Sequence, residues 1–416
     1  MVSPEGVPSP LAVPEIMGSS DIAVSAFLLT LRRMLDEMIA PATDQTSARN
    51  WRAIARELGP RFAARTGAHD ANDAFVAQNY VELEAYGAFS AGVPRDLGGG
   101  GASYAELCAL IRELAHSCGA TALALAMHTH QVAAAVWRRL QGHPVDGLLR
   151  QIASEQLVLV STGASDWLNS SGHAERVDGG YRVSARKIFG SGSPAGDLVI
   201  TTAVYEDPVD GPTVLHFPVP MNAAGVTVAD NWRAMGMRGS GSNDVVFEDV
   251  FVPQNAVTLR RPRGKWHPFY SVVAVVAQPI VMSAYVGVAE AARDLALQHL
   301  QRKRDDPDVW YTVGEMDNAL ASGQIAVQSM IDLCANYAFT PDVATANAAF
   351  IRKTIATQSL VAAVEKAAEA VGGASFLRTS ALERLLRDVH GAQFHPLQAK
   401  RQHRFSGRVA FGLDPV

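Results

Sequence analysis

Asn231-Trp-Arg-Ala-Met-Gly-Met-Arg-Gly-Ser-Gly-Ser-Asn-Asp-Val-Val-Phe-Glu-Asp-Val-Phe-Val-Pro253 joins a Gly/Ser-rich turn, Gly236 to Ser242, to an alternating strand pattern. Val245, Phe247, Val250 and Val252 supply its apolar positions. Pro253 stops the pairing, because proline has no N–H to give to a ladder. By itself the run reads as one arm of a hairpin in an ordinary β-domain. Its neighbours decide whether it is more.

The chain around it has 416 residues, too many for one simple core and suited to two or three packed units. A hydrophobic content of 48% with 19% charged residues describes a globular protein. A formal charge of −5, with no basic run interleaved with aromatics, argues against nucleic acid or an anionic membrane as partner. Cys108, Cys118 and Cys334 form neither a disulfide framework nor the paired spacing of a zinc site, which points to buried thiols in a reducing cytoplasm. Val2 to Gly18 contains four prolines and no basic start, unlike a signal peptide. The run Ile22 to Leu31 is short, and no segment is expected to reach the length of a membrane span.

Three grammars follow one another along the chain. After a disordered tail over 1–20, residues 21–153 read as a helical domain. There Leu107, Leu110, Ile111 and Leu114 fall on one helix face. The glycines Gly98 to Gly101 lack the strand–loop–helix setting of a phosphate cradle. Over 154–264, short strands at Leu157–Val160, Tyr181–Val183, Leu198–Ala203, Thr213–Val219 and Gly225–Val228 alternate with turn signals, as in an antiparallel barrel or sandwich. Over 265–416, four long helices at about 269–304, 312–338, 344–373 and 378–389 suggest a bundle. The expected class is therefore α+β and multidomain.

Helices, then a β-barrel, then a four-helix bundle is the order of the acyl-CoA dehydrogenase fold, and the motifs of roughly residues 60–412 resemble that superfamily. The opening run looks like its signature. Gly92-Val93-Pro94 with Gly98-Gly99 resembles its N-terminal loop. Thr162 stands at the strand end that holds the isoalloxazine ring, and Ala185-Arg-Lys-Ile-Phe-Gly-Ser-Gly192 resembles the second flavin segment. The resemblance implies Phe189 against the ring and Ser191 near flavin N5. It also implies Gly372 and Gly373 beneath a neighbouring subunit's FAD pyrophosphate, and Arg302 on the diphosphate. Arg387-Asp388 matches the pair before the active-site turn.

The departures bear on the reaction. A dehydrogenase of this family needs a carboxylate to take the α-proton, within hydrogen-bond reach and in a dry site. The two positions where the family carries it are Pro396 and Ala277 in this chain. Arg302-Lys-Arg-Asp-Asp306 replaces the usual Arg-x-Gln-Phe-Gly.

His395, eight residues after Arg387, is similar instead to the histidine of the flavin-dependent group D monooxygenases on the same fold. That likeness implies reduced flavin, O2 and a histidine that orients or deprotonates the substrate, a task suited to imidazole. His128 matches a second histidine of that group, with His130 an equal candidate on the same segment. Apart from the likeness, a histidine beside a proline in a C-terminal loop is most simply a surface or packing residue. No metal is expected, because nothing completes a ligand set with His390 and His395.

The expected protein is thus a cytoplasmic flavoenzyme and homo-oligomer, tetramer or dimer. It would take FAD, with FMN the other choice, and oxygenate a small organic substrate. A separate flavin reductase is implied, since no βαβ unit for NAD(P)H is visible. The alternatives are an acyl-CoA dehydrogenase or oxidase with a non-standard base, and a catalytically silent flavin-binding homologue.

Overall fold

Residues 49–416 are described by the computed structural model, so the expected tail and the start of the first domain lie outside the described residues. Five helices come first: α1 (Trp51–Ala71), α2 (Ala77–Ala85), α3 (Tyr104–Ser117), α4 (Gly119–Leu140) and α5 (Asp146–Glu155). Ser103 and Glu106 close a capping box at the start of α3, satisfying two of its orphan N–H groups. The four periodic residues Leu107, Leu110, Ile111 and Leu114 are all buried on its inner face.

The central domain holds β1 (Leu159–Ser161), one helical turn α6 (Gly163–Asp166), β2 (His173–Val177), β3 (Gly180–Gly190), β4 (Leu198–Asp207), β5 (Gly211–Pro220), β6 (Val226–Val228), β7 (Asn243–Pro253) and β8 (Leu259–Pro262). The strands form one sheet in the order β6-β7-β3-β2-β4-β5-β8, with β1 also on β4. The β1–β4 and β2–β4 ladders are parallel and the others antiparallel, so the sheet is mixed and its path ends at two edges rather than closing. The reason is local. The chain leaves β1, crosses through α6 and returns in β2, so both strands run alongside β4 in the same sense.

The opening run becomes β7, antiparallel to both β3 and β6, with a long loop rather than a tight turn before it. Its apolar positions change parity between Phe247 and Val250. Asp249, at φ +52°, is the extra residue of a bulge there, and it keeps all four side chains on the buried face.

The last domain is built on α7 (Pro268–Leu300), α8 (Pro307–Cys334) and α9 (Val343–Val371), followed by α10 (Ala381–Val389) and α11 (Ala399–Ala410). The four-helix expectation is corrected in length and number: α10 is a nine-residue helix, and α11 follows the proline-containing turn. α7 packs against α8 and α9 on one side and α3 and α4 on the other. A helix so enclosed is apolar all round, and α7 is long and apolar enough to cross a membrane. That corrects the expectation that no segment reaches such a length. Its most apolar window is 94% buried inside the protein, as a core helix requires.

Candidate active site

Two motifs that the sequence keeps 150 residues apart meet at the domain junction. Asp388 accepts the Met237 N–H, and Arg387 donates to the Met235 carbonyl at 2.8 Å. Arg387 also forks between Asp70 and Glu383. Gly236 lies between them, where a Cβ would stand 2.3 Å from the Arg387 carbonyl oxygen, so no larger residue fits this approach. Burial raises the Asp388 carboxyl to about 6. The opening run thereby anchors the turn that follows α10.

That turn closes one end of a cavity of about 160 Å³. α4 supplies Met127, His130, Gln131 and Ala134, and α7 supplies residues from Tyr270 to Val281. Thr162 just after β1, Thr201 and Thr202 of β4 and His216 of β5 supply the sheet side, and the turn supplies His395 and Pro396. Ala277 faces the same space, so both family positions for a carboxylate base line this cavity without one.

His395 is fixed from two sides. Its Nε2 lies 2.7 Å from the Tyr285 hydroxyl, and the buried Lys353 ammonium donates to its carbonyl oxygen at 3.0 Å. Tyr285 is fully buried, and burial pushes its pKa well above the usual range, so it keeps its proton and donates a hydrogen bond to Nε2. The imidazole proton is therefore assigned to Nδ1. Burial, then the Lys353 charge and His130, hold the His395 pKa down to about 3. Burial lowers Lys353 itself to about 8.

His128 does not fit the catalytic role expected for it. Its Nδ1 accepts the Leu159 N–H at 2.9 Å, so its Nε2–H donates to the Phe89 carbonyl at 2.7 Å. Both nitrogens are committed to backbone, and the ring ties α4 to β1 outside the cavity lining. His130, two residues further along the helix, is the histidine of this segment that lines the cavity, bonded to the Ala126 carbonyl at 3.1 Å.

The other expected residues are spread out. Thr162 donates to the Thr201 hydroxyl at 2.8 Å beside His395's cavity. Phe189, at φ +62° and 45% exposed, ends β3 with its ring edge-on to Trp232. Ser191 shares a buried hydroxyl chain with Ser242 and Ser240, each link 2.7 Å. Arg302 lies in an exposed turn after α7, roughly 30 Å along the helix axis beyond Val281. Gly372 takes φ +76° and ψ −150°, open almost only to glycine, and a Cβ at Gly372 or Gly373 would meet no described atom within 4 Å. Within one chain, Arg302 and the glycine pair do not come to the cavity.

Sequence reasoning missed several lining or supporting groups. Lys187 and Asp166 form a fully enclosed ion pair, completed by the Ser171 carbonyl at 2.7 Å and the Ser171 hydroxyl. Burial lowers the Lys187 pKa. Tyr285 stands two helical turns after Ala277, so the i, i+4, i+8 spacing through Val281 was a usable signal.

The chain matches family models described as the acyl-CoA dehydrogenase N-terminal domain over residues 45–140, the middle domain over 161–250 and the C-terminal domain over 280–399. It is 29% identical over 370 residues to an amino sugar nitrososynthase from Streptomyces peucetius, covering 85% of this chain and 91% of that protein. It is 26% identical over 314 residues to dibenzothiophene monooxygenase from Rhodococcus erythropolis, covering 68% and 72%. The solved structure of KijD3 in complex with FMN and dTDP-3-amino-2,3,6-trideoxy-4-keto-3-methyl-D-glucose matches with a TM-score of 0.77 at 26% identity, covering 90% of this chain and 96% of that one.

Proposed function

Because the chain belongs to the acyl-CoA dehydrogenase family, we propose that it is that family's kind of flavin-dependent monooxygenase, acting on a small organic substrate in the cavity at His395. The observation that carries this reading is the base-free lining. Pro396 and Ala277 occupy the carboxylate positions, and Asp166, the one carboxylate among the lining residues, is held by Lys187. The oxygenase relatives and the FMN complex of KijD3 support it.

The residues present fit a flavin. Phe189 offers an exposed aromatic face, Ser191 and Thr162 offer hydroxyls, and Gly372-Gly373 offer backbone with no side chain in the way. A reduced flavin held there supplies the activation of O2. The KijD3 complex favours FMN, while FAD rests on Arg302 and the glycine pair. None of the three lines its own chain's cavity, which supports completion of the site by a second subunit in a homo-oligomer. A separate flavin reductase and a cytoplasmic setting complete the proposal.

His395 acts here by orientation more than by basicity. An imidazole with a pKa near 3 is a weak proton acceptor at neutral pH. Its Nδ1–H, fixed by the Tyr285 hydroxyl, is a donor that can hold an acceptor atom of the substrate. Tyr285 is thus a positioning residue. Tyr285→Phe is expected to lower kcat by about tenfold with little change in KM. Flavin should stay bound, and a kcat equal to that of wild type would leave Tyr285 a packing residue only.

The reading itself is tested by loading purified protein with FMN or FAD, reducing it anaerobically and mixing it with O2. A transient absorbance between those of reduced and oxidised flavin supports oxygenation. One-step reoxidation, together with bleaching of the oxidised flavin by an acyl-CoA, overturns it.

A further inference from the structure

The cavity lining contains a buried guanidinium that has no ion-pair partner of its own among the described residues. Arg261 is 2% exposed and lines the cavity. Its Nε–H goes to His216 Nε2 at 2.9 Å, and its Nη1 group to the Leu168 carbonyl at 2.7 Å and the Pro262 carbonyl at 3.4 Å. One Nη2 hydrogen goes to the Trp167 carbonyl at 3.2 Å. A guanidinium has five N–H groups, so one on Nη2 is left over. Its Cζ lies 4.8 Å from the Tyr270 ring centroid, so the guanidinium also rests on an aromatic face.

Among the described residues no carboxylate pairs with Arg261. Asp166 contributes to the field that favours the charged Arg261, but its own ion pair is with Lys187. His216 is a neutral acceptor and adds no charge: burial, then the Arg261 charge, hold its pKa down to about 3. His130 and His395 are likewise neutral. Counting Lys187 behind Asp166, the groups around the cavity therefore carry one net positive charge, beside a wall that includes Phe269, Tyr270, Val273 and Val276. A buried charge without a partner is costly unless a ligand supplies one. At the same wall, the Gln278 amide oxygen is buried without a hydrogen-bond partner and calls for a donor.

We propose that the substrate is an organic acid whose carboxylate or phosphate oxygens seat on Arg261, with an N–H or O–H toward Gln278 and its reacting end at His395. This rests on the monooxygenase reading for the role of His395, but the seat is a matter of binding alone. The acid would be drawn in with its charge matched. A neutral analogue would leave the guanidinium desolvated and unpaired, which makes Arg261 a selector as well as an anchor.

Binding by the full-length protein is followed through tryptophan fluorescence, since Trp167 packs on Tyr270 in this lining. The probes are benzoate, phenyl phosphate and the neutral benzamide, with flavin affinity measured on the same samples. Wild type is expected to prefer at least one acid over benzamide by about tenfold or more. The acid that wins identifies the oxygen source. Arg261→Gln should abolish the preference, and Arg261→Lys should keep part of it. If Arg261→Gln does not fold, the wild-type preference decides alone. Equal affinity for benzamide, or no binding of either acid, overturns the proposal even where flavin binds. Acid preference without flavin binding overturns the monooxygenase reading and leaves the seat intact.

Discussion

His395→Ala is expected to abolish product formation while flavin stays bound. Loss of a fixed donor aimed at the reacting region lowers kcat by about 10²-fold or more. Flavin affinity should change little, because Thr162, Phe189 and Ser191 stand on the β-domain rather than on this turn. The variant also leaves the buried Tyr285 hydroxyl without its acceptor, at a cost of about 1–3 kcal/mol in stability. The double variant Tyr285→Phe/His395→Ala removes that orphan and should recover part of the stability without recovering turnover. The separation matters because it distinguishes a folding defect from a chemical one. A His395→Ala enzyme that oxygenates at the wild-type rate would remove His395 from the mechanism.

The order of elements was legible because the grammar changes between domains: a period of 3.6 at Leu107 to Leu114, a period of 2 across β3 and β7, then the long apolar α7 without a strong breaker. β2 escaped notice because its five residues, His173 to Val177, include Glu175 and Arg176 and present one buried side chain. α11 follows Pro396, which reads as a stop. Lys187 was recoverable in principle. It shares inward parity with Tyr181, Val183 and Ala185, so a charged residue there had to be paired. Arg261 was not. In Arg260-Arg261-Pro262-Arg263 it looks like one of a solvated basic group, and only the fold shows that its neighbours point out while it points in. His128 and His130 show the finer limit. They sit two positions apart on one helix, and backbone contacts, which a single sequence does not reveal, decide which one faces the cavity.

Acid should unfold this protein steeply below pH 6.5, and the histidines are the cause. His128 and His130 are lowered to about 4, and His216 and His395 to about 3, chiefly by burial, from an ordinary value of 6.5. A depressed folded-state pKa means that the unfolded chain takes up protons first. The stability contributed is complete above pH 6.5 and is lost as pH falls toward 3–4. At pH 5 each histidine has cost about 2 kcal/mol, being 1.5 units at about 1.4 kcal/mol per unit. Four together reach about 8 kcal/mol, comparable with the whole stability of a typical fold. Asp388 works in the opposite direction. Raised from 3.8 to about 6, it favours the folded state below pH 3.8, and that contribution is lost as pH rises through 6. Between pH 7.5 and 5 it returns only about 1 kcal/mol, so the histidines dominate. Urea unfolding at pH 7.5 and 5.0 measures the difference, and equal stabilities would show that these rings are not held neutral. In the Tyr285→Phe/His395→Ala variant the dependence of stability on pH should be shallower by one proton of the four. That ties the acid sensitivity of the fold to the same imidazole on which turnover depends.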